Sequence, residues 1–313
     1  MHYIGFDIGG TKCAVSLGRV QEGGITVLHR EETPTQSSPI KTLQRLLPFV
    51  NEWKEKYGVT SAGISCGGPL NSKTGVIVCP PNLAVGWHGF AIVQYVYENT
   101  GLQSKLQNDA NACAVAEWRF GAGRGTNNMV FMTFGTGLGA GLILDGKLYV
   151  GTNDNAGEIG HIRLAKNGPC GYGKHGSFEG FCSGGGISRL AVEMAKRSKN
   201  VPDYMKQADG SYAITTKELA KRAFAGDKFA KRVFHKSGEM LGKGLSVLID
   251  IINPEKVVIG GVFMRSSALL IPAMEKQIKG EALQESAQAC EIVPAQLSEN
   301  VGDIAALAIA LGD

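Results

Sequence analysis

The sequence predicts an α/β fold of two related domains with a cleft between them, and three observations predict it. Strand-like segments alternate with segments of helical period along 313 residues, where ~100–200 residues per domain is usual. Glycine is abundant, at 43 residues, and gathers at the ends of the strand-like segments. The two halves also open alike: a strand, a Gly-rich turn carrying threonine (Gly9-Gly10-Thr11, then Gly135-Thr136-Gly137), further strands, then helices.

The elements follow in order. Residues 2–7 form a strand ending at Asp7, and 12–18 and 25–31 add two antiparallel strands. Residues 38–57 carry Leu43, Leu46, Leu47, Val50 and Trp53 at helical spacing, with Ser37 or Ser38 as cap and Pro39 in the first turn. A strand at 60–65 breaks at Gly67-Gly68-Pro69. A helix near 89–99, a strand at 104–107 and a helix of small residues, Ala110 to Trp118, follow. The second half opens with strand 129–134 and a hairpin strand 139–144 closed by Asp145-Gly146. After a Gly-rich stretch at 151–186 come helices at 187–197, 216–224 and 227–251. Strand 256–259, a helix, a strand near 290–294 and a last helix at 301–311 complete the chain. The domain division expected is 1–107 plus 297–313 for a smaller domain and 108–296 for a larger one.

Composition excludes several classes. Hydrophobic residues are 43% and charged residues 19%, with a net charge of +4. That is a globular chain without the basic tract that nucleic acid or an anionic membrane would require. No stretch reaches the ~18 apolar residues of a membrane helix, and the first residues show no signal-peptide pattern. Seven scattered cysteines without a Cys-x-x-Cys pair fit a reducing cytoplasm.

Several constellations carry chemistry. In Asp7-Ile8-Gly9-Gly10-Thr11-Lys12 the glycines let backbone N–H groups fold around an anion. Thr11 and Lys12 add a hydroxyl and a cation, and Asp7 can hold Mg²⁺. Gly135-Thr136-Gly137 offers the same chemistry in the second half. Each turn alone also reads as a plain hairpin tip. Asn108-Asp109, between strand and helix, suits a site that holds a hydroxyl and accepts its proton; the same pair also reads as a helix cap. Glu158 with His161 suits paired sugar hydroxyls, and the pair also reads as a solvated Glu beside a satisfied core His; a second Gly-rich run ends in the carboxylate of Glu179. Gly260-Gly261 after a buried strand can back a nucleotide and equally reads as the turn that ends a core strand. Gly68 and Asn82 lie in a loop that Trp87 can pack, where Asn82 can donate to a hydroxyl, though each residue taken singly reads as a structural loop.

In this order the pieces resemble the ROK family of sugar kinases, along nearly the whole chain. The resemblance implies a two-domain actin/hexokinase-like (ribonuclease H-like) ATPase fold with an interdomain cleft. It implies ATP and Mg²⁺ held by Asp7, Gly9, Gly10, Thr11, Lys12, Gly135, Thr136, Gly137, Gly260 and Gly261. Gly68, Asn82, Asn108, Asp109, Glu158, His161 and Glu179 would meet the sugar, with Asp109 as general base. The expected activity is transfer of phosphate from ATP to a hexose hydroxyl, the 6-OH of glucose or a related hexose. The expected assembly is a homodimer or homotetramer in the cytoplasm, without nucleic-acid or membrane partners.

Three departures qualify the resemblance. The family's structural zinc uses the histidine at 161 and cysteines spaced Cys-x-Cys-x4-Cys. Here Cys170 remains, but Tyr172 and Ser177 replace the other two. Zinc needs four such ligands, and neither Cys182 nor His175 has the family's spacing, so no structural zinc is expected. Gly67 stands where the family commonly has proline. Asp7 lies too near Met1 for the N-terminal DNA-binding helices of the repressor relatives, so a DNA-binding role is not expected. An N-acetylhexosamine kinase and a non-catalytic sugar-binding regulator are the alternatives.

Overall fold

The computed structural model describes residues 1–21, 23–297 and 301–312. In chain order the elements are β1 (His2–Ile8), β2 (Lys12–Gln21), β3 (Gly24–Pro34), α1 (Pro39–Leu43), α2 (Leu47–Tyr57), β4 (Ser61–Cys66), β5 (Leu70–Asn71), β6 (Val76–Ile77), α3 (Ile92–Thr100), β7 (Gln103–Asn108), α4 (Asp109–Phe120), β8 (Met129–Phe134), β9 (Leu138–Leu144) and β10 (Lys147–Tyr149). They continue with β11 (Cys170–Gly171), β12 (Lys174–His175), α5 (Phe178–Phe181), α6 (Gly184–Lys196), α7 (Thr216–Phe224), α8 (Lys228–Ile252), β13 (Lys256–Ile259), α9 (Val262–Glu281), α10 (Gln284–Ala289), β14 (Glu291–Pro294) and α11 (Val301–Ala310). None of the helices described is long and apolar enough to cross a membrane.

One sequence expectation needs correction. The single helix expected over 38–57 is two, because Pro48 has no N–H to donate and cannot sit inside a continuous helix; it falls instead in the first turn of α2. Ser38 caps α1 as expected, accepting the Lys41 N–H.

The chain divides into two units by compactness. The first is 1–131, 141–156 and 296–313; the second is 132–140 and 157–295. This division differs from the sequence-based one over 108–131 and 141–156 and at residue 296.

The first unit is built on a five-stranded sheet of order β3-β2-β1-β4-β7. β1, β2 and β3 pair antiparallel, whereas β1, β4 and β7 run parallel. Leu43, Val50 and Trp53 from α1 and α2 join Ile92 and Val96 of α3 in a core with the strand residues Phe6, Val15 and Ile64. Against the sheet lies α11, whose Ala305, Ala306 and Ala308 are buried. It approaches closely because the strands offer glycine there: a Cβ on Gly5 would stand 3.0 Å from that of Ala306, and one on Gly63 would strike the Ala306 carbonyl. This close seat carries the start of α11 to the end of β1.

The other five-stranded sheet has the order β10-β9-β8-β13-β14. In the second unit α8 and α9 pack together through Gly238 and Gly242, where a side chain would meet the Leu270 and Met274 carbonyls. Asp145 (φ 50°) and Gly146 (φ 69°) close the β9–β10 hairpin, as the Asp-Gly pair predicts.

Candidate active site

In the first unit, three parallel strands end side by side. Ile8 of β1 faces Cys66 of β4, and Cys66 faces Asn108 of β7. Each residue the sequence singled out in this half leaves from one of those ends or packs against them, which is where open α/β sheets bind ligands. The turn after β1 folds Gly9 N–H back to the Lys12 carbonyl, 3.1 Å away, and Thr35 Oγ1 donates to the Gly9 carbonyl at 2.6 Å. Gly10 lies directly on the Asn82 carbonyl, leaving no room for a side chain. The Asn82 amide stands 3.2 Å from where a Cβ on Gly67 would be, and Asn108 Nδ2 stands 3.1 Å from the corresponding point on Gly68. Glycine at 10, 67 and 68 therefore lets the two asparagines converge. The Gly68–Pro69 peptide is cis. Trp87 is fully buried and donates to the Gln36 carbonyl, fixing the loop beyond Asn82.

The structure separates the two roles left open for Asn108 and Asp109. Asn108 is the cap: its Oδ1 accepts the Ala110 N–H at 2.9 Å and the Asn111 N–H at 3.4 Å. Asp109 is the first residue of α4; its side chain is open to solvent at the strand ends, yet the protein crowded around it partly desolvates the carboxyl and raises it above the ordinary range. The Ala110 N–H, 2.8 Å from Oδ1, partly offsets that rise.

Asp7, at the end of β1, is also pushed up, from 3.8 to about 6, first by burial and then by the charges of Asp303 and Asp109; Arg30 and Lys12 pull it back down. The N-terminal turn of α11 crowds it, since a Cβ on Gly302 would lie 2.8 Å from Asp7 Oδ2. Asp303 belongs to this cluster and sequence reasoning missed it. It accepts Ser16 Oγ at 2.6 Å and Arg30 Nε at 2.9 Å. Nothing local marks it; 287 residues separate it from Ser16. Lys12 is exposed on β2, and its ammonium pairs with Glu32 at 2.9 Å, which Arg30 holds at 2.7 Å.

In the second unit, the turn Gly135-Thr136-Gly137 leaves β8, with Gly135 N–H donating to the Gly137 carbonyl at 3.1 Å. The start of α6 docks on it: Gly184 and Gly185 donate N–H to the carbonyls of Gly135 and Thr136 at 2.7 and 3.4 Å. Gly260 N–H reaches Met132 O at 2.9 Å, and Gly261, at φ +65°, lies against the Phe134 carbonyl, where a side chain would clash. The turns at 135–137 and 260–261 are thus brought together with the start of α6, a partner the run Gly184-Gly185-Gly186 signals only as a glycine cluster. Glu179, on α5, also touches this turn: its Oε2 accepts the Leu138 N–H at 3.1 Å. Glu158 precedes a single 3-10 turn that His161 ends, with His161 N–H donating to the Glu158 carbonyl at 3.2 Å.

Around the expected zinc positions, Tyr172 packs its ring on His161, centroids 4.4 Å apart, and Ser177 caps α5. The buried Cys182 thiol donates to the Ser237 carbonyl, and His175 Nδ1 lies 3.1 Å from the Gly168 carbonyl. Among the described residues no group of three or more His, Cys, Asp or Glu could hold a metal ion.

The ROK family model matches residues 3–313. The chain belongs to the ROK family. A glucokinase from Halalkalibacterium halodurans is 32% identical over 96% of this chain and 92% of its own. Among solved ROK structures, the glucokinase from Streptomyces griseus in complex with glucose and AMPPNP is 29% identical, covers 100% of both chains and superposes with a TM-score of 0.77. A ROK family transcriptional regulator, homologous to the Escherichia coli MLC protein, is 26% identical with a TM-score of 0.83, over 99% of this chain and 78% of that one. The mixed α/β fold with two five-stranded sheets is thus the actin-like fold of the ROK sugar kinases.

Proposed function

We propose that this chain is an ATP-dependent sugar kinase in which Asp109 is the general base for a hexose hydroxyl, the 6-OH of glucose or a related hexose. The observation that carries the reading is the division of labour at the start of α4. Asn108 satisfies the helix terminus, so Asp109 is not needed as a cap; its side chain is left open at the strand ends, and the protein packed around it raises its carboxyl above the ordinary range. A carboxylate tuned upward and placed at a strand end is what proton removal near neutral pH requires. Full-length similarity to glucokinases supports the same class.

Asn82, Asn108, Gly68, Glu158, His161 and Glu179 are the proposed sugar contacts. Asn108 keeps Nδ2 for a hydroxyl while its Oδ1 serves the helix. Gly9 to Lys12, Gly135 to Gly137 and Gly260-Gly261 are the proposed nucleotide contacts. Mg²⁺ bound with the nucleotide would neutralise charge on the transferring phosphoryl group. Asp7 fits such a cation. Its hard oxygens suit Mg²⁺, and the neighbouring carboxylates of Asp303 and Asp109, which now disfavour its charge, would favour a bound cation. In this reading Asp109 accepts the hydroxyl proton as the oxygen attacks, while Lys12 and the turn amides offset developing negative charge.

A second reading, a sugar-binding regulator without turnover, draws on the likeness to the transcriptional regulator. ADP release, followed across a panel of glucose, mannose, fructose, N-acetylglucosamine and N-acetylmannosamine, decides between them. Turnover with a hexose supports the kinase and names its substrate. Sugar binding without ADP release from any sugar supports the regulator. We further propose a homodimer or homotetramer in the cytoplasm, which light scattering on the purified chain would size.

A further inference from the structure

We infer that Tyr172 is a positioning residue: at the tip of the β11–β12 hairpin, its ring fixes the His161 imidazole in the orientation that a sugar hydroxyl meets. The inference rests on the sugar-kinase reading for what the imidazole contacts, though not for how it is held.

The hairpin is short. Cys170 pairs with His175 and Gly171 with Lys174, which leaves Tyr172 and Gly173 as a two-residue tip. Both have left-handed backbone, at φ 53° and φ 66°. Two-residue tips of this kind favour Gly, Asn and Asp. A bulky residue there is unfavourable, and such outliers persist where the surroundings hold them and often serve a site. Ordinary core burial does not account for the tyrosine, because it is 47% exposed.

Its contacts do account for it. The ring centroid lies 4.4 Å from that of His161, with planes tilted by 46°. The same ring covers Gly160: a Cβ there would lie 3.0 Å from Tyr172 Cε2 and 3.3 Å from the Glu179 Cβ. Two residues along, Lys174 Nζ donates to the His161 carbonyl at 2.7 Å. One hairpin therefore grips the 159–161 turn twice, the Lys174 ammonium on its backbone carbonyl and the Tyr172 ring on its imidazole. His161 is itself exposed, so without the ring its imidazole would sample other rotamers. Fixing it in advance removes an ordering cost from sugar binding, and it presents one chosen ring nitrogen to the ligand.

The test uses Tyr172→Gly, Tyr172→Phe, His161→Ala and the double variant. Glycine suits the left-handed tip, so Tyr172→Gly removes the ring and keeps the hairpin. With sugar varied at saturating ATP, Tyr172→Gly should raise the sugar KM about 10-fold, with kcat and the ATP KM changed less than about 3-fold. Tyr172→Phe keeps the ring and should stay within about 2-fold of the parent. On the His161→Ala background, Tyr172→Gly should add less than about 2-fold, because the two residues act as one. Additive effects, or a parent-like sugar KM in Tyr172→Gly beside a raised one in His161→Ala, would overturn the inference. A second measurement needs no sugar. In chain labelled with ¹³C-histidine, the His161 signal, assigned by its loss in His161→Ala, should move in Tyr172→Gly and hold in Tyr172→Phe. An unmoved signal in Tyr172→Gly overturns the positioning role, even where sugar turnover is intact. A moved signal in a chain that phosphorylates no sugar upholds that role and sinks only the kinase reading.

Discussion

Asp7→Asn should make the protein more stable while weakening its grip on nucleotide. Asp7 is half-buried at the end of β1, and burial first, then the charges of Asp303 and Asp109, raise its pKa from 3.8 to about 6. A rise of about two units, at about 1.4 kcal/mol each, means the charged form is roughly 3 kcal/mol less favourable in the folded chain than in the unfolded one. Because the folded pKa lies above the unfolded one, the folded chain holds a proton between about pH 4 and 6 that the unfolded chain has released. This group's contribution is therefore most favourable below about pH 4, falls as pH rises through 6, and stays low above it. Asparagine has nearly the same shape and no charge. Thermal unfolding followed from pH 4 to 8 should show Asp7→Asn matching the parent near pH 4. It should then gain an advantage that grows through pH 6 to roughly 5 °C. Calorimetric titration with MgADP at pH 7.5 should show weaker binding by the variant. A variant less stable than the parent at pH 7.5, or a difference that ignores pH, would refute the claim that Asp7 is held charged at a cost.

Other residues give further expectations. Glu117 is fully buried, and its carboxylate accepts N–H groups from Ala122 at 2.8 Å, Gln296 at 3.0 Å and Leu297 at 2.8 Å. Glu117→Gln turns an –NH₂ towards those donors and should destabilise the protein by about 1–3 kcal/mol in urea titration. Parent-like stability would mean the N–H groups find water instead. Asn108→Ser keeps a cap acceptor but loses the amide, so its stability should stay within about 1 kcal/mol of the parent while the sugar KM rises. Parent-like KM would leave Asn108 as a cap alone. Elemental analysis should find far less than about one zinc per chain, since Tyr172 and Ser177 stand where ligands are needed; stoichiometric zinc would contradict this.

Much of the fold was legible because strands and turns are local signals. Alternation and glycine placed β1 to β4 and β7 to within two or three residues at their ends, and Asp145-Gly146 named its own hairpin. The helix over 38–57 was over-read because apolar spacing continued across Pro48, and the missing N–H counted for more than the pattern. The short elements α5, α10, β5 and β6 carry too few residues to show a period.

Of the candidate site, the motif positions were legible, but the partners were not. Sequence could not say whether Asn108 or Asp109 caps α4, since both types suit the cap; only the Ala110 and Asn111 N–H groups decide it. It could not pair Lys12 with Glu32 across β2 and β3, nor bring Asp303 to Asp7, because those contacts depend on register and on the seat of α11. The role of Glu117 was hidden for the same reason: its N–H donors at 296 and 297 lie 179 and 180 residues away.

The central claim is that Asp109 takes the proton from the attacking hydroxyl, and Asp109→Asn tests it most directly. With the best sugar of the panel and MgATP, the variant should fold and bind sugar like the parent while kcat falls by at least about 10²-fold. A folded Asp109→Asn variant with near-normal kcat would contradict the account.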